Sequence, residues 1–151
     1  MISRMSTLAR NLGFVVLVAA GCSARTAAAQ DSLKAEPGVR VRIVEPKQGA
    51  TVTGPSVHVV LEATGVEIAP AAEHRAGTAH HHLFLDTDLT AGDVGIPAGM
   101  PGIVHLGKGE KEYTFQAVAA GPHRLIALLA DPNHVPLKPL VADTVRFTVK
   151  P

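Results

Sequence analysis

Apolar and polar residues alternate with period two along most of this chain, between turns containing Gly and Pro. That pattern limits the fold to β-structure, because successive side chains of a strand point to opposite faces. Val39, Val41 and Ile43 alternate with Arg40 and Arg42, and Val57, Val59 and Leu61 with Ser56, His58 and Val60. Tyr113, Phe115 and Ala117 alternate with Glu112, Thr114 and Gln116, and Val145, Phe147 and Val149 with Thr144, Arg146 and Thr148. Leu83 and Leu85 mark a further strand. Residues 122–130 (PHRLIALLA) are apolar on both faces, as in a central strand covered on both sides. Strands are thus predicted at 39–44, 56–63, 80–86, 111–118, 122–130 and 143–150. No helical period appears after the first residues. The expectation is an all-β, immunoglobulin-like Greek-key β-sandwich of about seven strands.

The chain opens differently. Arg4 and Arg10 precede an apolar run, residues 12–20, that is too short to span a bilayer and matches a signal peptide. Ala27, Ala28 and Ala29 before Gln30 place cleavage there, giving a signal peptide at 1–29, a linker at 30–38 and the domain at 39–151. The alternative is a lipoprotein signal at 1–21. Ala19-Ala20-Gly21-Cys22 is similar to a lipobox, with alanine where leucine is usual, and Cys22 would then be lipidated and tether the protein to a membrane. The expected location is periplasmic or secreted, with membrane attachment only on that alternative. Cys22 is the single cysteine, which excludes an intramolecular disulfide and a thiolate metal cluster.

Residues 79–86, AHHHLFLD, place three histidines at the start of a predicted strand. In an immunoglobulin-like arrangement the strand at 80–86 runs antiparallel to that at 122–130. His80, His81, His82, His105, Asp131 and His134 then gather at one pole, with His74 in the loop entering it. If Leu83 and Leu85 face the core, His81 shares that side while His80 and His82 project together from the other, with Cβ atoms ~7 Å apart. The spacing suits chelation of one ion. His80, His82, His105, His134 and Asp131 are the candidate metal ligands, and with nitrogen and carboxylate donors the ion is expected to be Cu(II) or Zn(II). His81 and His123 are read as structural: His81 an inward residue donating to backbone, His123 a corner residue at the opposite pole. Asp131 has a second reading as a turn cap before Pro132-Asn133.

Three segments carry a family resemblance. HHHLFLDTD, IVHLGKGEKEYTF and AAGPHRLIALLADPNHVPLKP resemble the bacterial domain of unknown function 4399 over about residues 64–150. The resemblance implies export and a β-sandwich, and no activity.

Function classes narrow accordingly. No Lys/Arg cluster offers a surface to nucleic acid. No GxSxG, HExxH or Ser/His/Asp pattern is present, so the protein is expected not to be an enzyme but a module binding a metal or small ligand. The competing reading is a structural interaction domain. It rests on Phe84, Ile126 and Leu128, which cannot enter the same core as Leu125 and Leu129. They form a patch for a protein partner unless the loop at 87–104 covers them.

Overall fold

A computed structural model describes residues 34–151. The signal-peptide reading of 1–29, cleavage before Gln30 and the alternative lipidation of Cys22 all lie outside the described residues. The alternating segments form β1 (Arg40–Glu45), β3 (Val57–Thr64), β5 (Thr78–Leu85), β7 (Glu112–Phe115), β8 (Gly121–Ala130) and β9 (Ala142–Lys150). Three short strands join them: β2 (Thr51–Thr53), β4 (Glu67–Ile68) and β6 (Ile103–Leu106). The count is therefore nine rather than about seven, because two to four residues carry too little alternation to read. Among the described residues the only helical element is a 3-10 turn at Ala71–Glu73.

One sheet runs β1-β3-β7, the other β2-β9-β8-β5-β4, with β6 also paired to β5. Consecutive strands β4–β5, β5–β6 and β8–β9 pair, while β3–β7, β5–β8 and β2–β9 join strands distant in sequence, and the result is an immunoglobulin-like sandwich. Val41, Ile43, Val57, Val59 and Leu61 face Leu83, Leu125, Leu129, Val145 and Phe147 across the main core. The residues between them in each strand point away. In β1 and β3 that outer face is wet, and Arg42 pairs there with Glu62 at 2.6 Å, opposite it in register.

The outer face of the larger sheet is not wet. Phe84, Ile126, Leu128 and Ala130 form a second apolar cluster with Ile96, and Leu89 packs against it. Leu89 and Ile96 belong to the long connection between β5 and β6. Phe84 is 0% and Leu128 1% exposed, so this patch is internal and offers no surface to a protein partner. Ile96 N–H donates to the His134 carbonyl at 2.9 Å, tying the covering loop to the turn that follows β8. The segment read as a linker is also partly docked: Ala35 is buried and donates its N–H to the Lys138 carbonyl at 2.7 Å.

At the pole away from the three histidines, His123 on β8 bonds through Nδ1 to Asp86 Oδ2 at 2.7 Å and through Nε2 to the Ala119 carbonyl at 2.8 Å. Both partners are acceptors, so the ring satisfies both only when protonated. Burial opposes that charge, but the bonds to Asp86 and Ala119 and the Asp86 charge together outweigh it and raise the pKa. A raised folded pKa gives stability that is complete below the unfolded value of ~6.5 and lost as pH climbs through the folded one. Wild type is thus expected to exceed His123→Gln in melting temperature by most below pH ~6.5, with the gap closing at alkaline pH. A gap that does not change with pH would show the ring to be neutral. Asp86 also accepts from Arg124 N–H and Asp88 from the Arg124 guanidinium, so these two carboxylates brace this pole.

Candidate metal centre

β5 starts at the opposite pole, where its strict alternation sorts the three histidines. His81 is fully buried on the same side as Ala79 and Leu83, and its Nδ1 donates to the Glu110 carbonyl at 3.1 Å. His80 and His82 project from the other side, 0% and 1% exposed, with their Nε2 atoms 2.9 Å apart. β6 pairs with β5 so that His105 lies directly opposite His82. His105 is therefore a strand residue, although no strand is predicted at its position from the sequence. Its ring lies near-parallel to that of His82, with centroids 5.0 Å apart.

His134 arrives from the third side, on the tight turn after β8. Its N–H donates to the Asp131 carbonyl at 2.8 Å, and its φ of 67° is left-handed, a conformation that a histidine adopts only when neighbours hold it. Asp131 does the holding. Its Oδ1 accepts from Asn133 N–H at 2.8 Å and Val135 N–H at 3.0 Å, and its own N–H donates to the Val135 carbonyl at 2.9 Å. Of the two readings of Asp131, the structure supports the turn cap. The carboxylate is 3% exposed, turned to backbone, and outside the set of converging ligand atoms.

Four rings thus meet. Every pair among His80, His82, His105 and His134 has centroids between 4.6 and 5.8 Å apart. One nitrogen each from His80, His82 and His105 lies within 4.8 Å of the other two, a group that could hold a metal ion. His134 flanks this trio, its Nε2 3.2 Å from that of His105. The profile of the family described as "Domain of unknown function (DUF4399)" matches residues 59–150, which contain all four. The chain belongs to that family.

Three solved structures are also similar to this chain. An engineered protein is 11% identical over 75% of this chain, which covers 20% of that one, with a TM-score of 0.46. The PKD domain of human KIAA0319 is 15% identical over 87% of this chain and 93% of its own, with a TM-score of 0.42. The CARDB domain of the PF1109 protein from Pyrococcus furiosus, in complex with di-metal ions, is 16% identical over 74% and 91%, with a TM-score of 0.38. No curated protein matches the sequence.

Electrostatics in this DUF4399 site favour neutral rings. Burial, reinforced by repulsion among the neighbouring imidazoles, pushes His80 down to about 3 and His82 to about 2. Burial also lowers His105, with the adjacent His134 adding to it and Glu110 opposing. The Nδ1 atoms of His80 and His82 are buried without a protein partner.

Gly107 is the residue beside this cluster that the sequence signalled least. A Cβ built there would fall 2.1 Å from Cε1 and 2.3 Å from Nε2 of His105, so the imidazole occupies the space a side chain would need. The Gly107 backbone cannot readily retreat, since its carbonyl accepts from Ala71 N–H at 2.9 Å. Gly107→Ala should expel the His105 ring and weaken metal binding roughly 10- to 100-fold, the cost usual for losing a ligand-positioning group, with the β-spectrum intact. Chelator competition would measure it; unchanged affinity would remove His105 from the site.

Proposed function

We propose that this DUF4399 domain is an exported, non-catalytic binding module that takes one divalent transition ion, Cu(II) or Zn(II), on His80, His82 and His105, with His134 as fourth ligand. The observation that supports it most is the Nε2-to-Nε2 convergence of the buried rings of His80 and His82, with His105 and His134 meeting in the same way at the more open edge of the cluster. Without an ion, each such contact works only if one nitrogen carries the proton and the other a lone pair. An ion lets every Nε2 act as a donor of electrons. Ligands ~2.05 Å from a tetrahedral centre lie about 3.3 Å apart, so the 3.2 Å contact already fits and the 2.9 Å contact needs to open only slightly. Imidazole suits Cu(II) and Zn(II), and Met100, the one thioether among the described residues, is 47% exposed on the covering loop.

Capture rather than turnover is favoured because the nearby carboxylates are engaged: Asp131 with backbone, Glu110 with Lys108 N–H, Glu67 and Glu73 with Arg75. Export rests on the N-terminal pattern. The interaction-domain reading loses its support with the covered patch. Elemental analysis of protein purified without a His-tag tests the proposal: about one tightly held ion per chain is expected, and loose binding at several sites would sink it.

A further inference from the structure

We propose that the cleft beside His105 and His134 is an anion subsite, and that the domain holds its metal ion together with a small carboxylate. This rests on the metal reading above. An open cleft of ≈ 340 Å³ is lined by both histidines together with His74, Lys108, Glu110 and the small residues Ala71 and Ala72. It therefore borders the ion directly on the side away from the buried His80 and His82.

Charge decides what should fill it. An imidazole that coordinates through a ring nitrogen brings no charge, so a divalent ion retains both of its positive charges at a half-buried place where their desolvation is costly. In the cleft, Lys108 and Glu110 are of opposite sign and cancel. No other carboxylate is free to approach: Asp131 Oδ1 is occupied by two backbone N–H groups, and Glu67 and Glu73 are paired with Arg75. Asp131 keeps its charge but directs it at backbone N–H groups, so the charge of the ion is under-compensated on its accessible side. A carboxylate fits that deficit better than water does, and Ala71 and Ala72 offer its carbon body an apolar wall.

Co(II) provides the test, because its visible bands report changes in coordination. Tag-free protein loaded with Co(II) is titrated with acetate at constant ionic strength, and in parallel with acetamide, its neutral isostere. Acetate should shift the bands saturably and slow Co(II) loss to a chelator, while acetamide does neither. Glu110→Gln, which keeps an acceptor for Lys108 N–H, should tighten acetate binding roughly two- to fivefold. Lys108→Gln should weaken it by a similar factor, as expected of one unit charge across a solvated cleft. Bands that ignore acetate, or respond equally to acetamide, would overturn the anion subsite and leave the metal site standing. Failure of the protein to take up Co(II), Cu(II) or Zn(II) would end both.

Discussion

Cu(II) or Zn(II) at about 100 times its dissociation constant is expected to stabilise the folded tag-free protein by ~2.7 kcal/mol. For a domain of this size that raises the melting temperature by about 10 °C. The stabilisation arises because only the sandwich brings the nitrogens of β5 and β6 and of the turn after β8 together; the unfolded chain offers them separately. The decisive variant is His80→Leu with His82→Leu. Leucine fills similar volume, so the change removes two ligands without opening a cavity, and the metal-induced shift should vanish. His58→Ala is the control. That histidine is exposed, lies on the other sheet and should leave the shift unaltered. A shift that survives in the double variant, or disappears with His58, would mean that copper or zinc is collected by scattered surface imidazoles.

How much of this could be read beforehand varies with what each residue does. Strands β1, β3, β8 and β9 were legible because they lie with one or both faces against apolar neighbours, and burial writes itself into alternation. The projection of His80 and His82 away from Leu83 follows from the same rule. β6 was not legible. Ile103–Leu106 is four residues long and flanked by glycines, and its place beside β5 comes from pairing partners rather than from its own pattern. So His105 could be assigned to the right pole but not set opposite His82. Gly107 was harder still, since what matters there is an absent atom. Asp131 was read both as ligand and as turn cap, and only the hydrogen bonds from Asn133 and Val135 distinguish the two. The cover over Phe84 comes from Ile96 with Leu89 beside it, in a Gly/Pro-rich loop whose composition gives no hint that Ile96 is buried.

The metal-free protein is expected to unfold in mild acid, well before its carboxylates are fully protonated. His80 and His82 are held near 3 and 2 by burial and mutual repulsion, and burial also lowers His81 despite its bond to the Glu110 carbonyl. Unfolding returns each ring to water and to a pKa of ~6.5. Folded values below the unfolded one mean that the stability is present above pH ~6.5. As pH falls below it, the unfolded chain binds protons the folded protein excludes. Each such histidine then costs ~1.4 kcal/mol per pH unit while the pH stays above its folded pKa, so His80 and His82 together cost ~2.8 kcal/mol per unit, and His81 adds to that until its own lowered value is reached. A domain toward the lower end of the usual ~5–15 kcal/mol is exhausted within about two to three units, placing the midpoint near pH ~3.5–4.5. Far-UV circular dichroism against pH would measure it. In the double leucine variant two of the three protons are no longer taken up, so its stability should fall with acid about a third as steeply. At pH 5 it should exceed wild type by several kcal/mol, because two buried polar rings with orphaned Nδ1 atoms have been replaced by apolar side chains of similar size. Acid-unfolding curves that run parallel in the two proteins, or a wild type still folded at pH 3, would show that these histidines are not the desolvated neutral set on which the metal site depends.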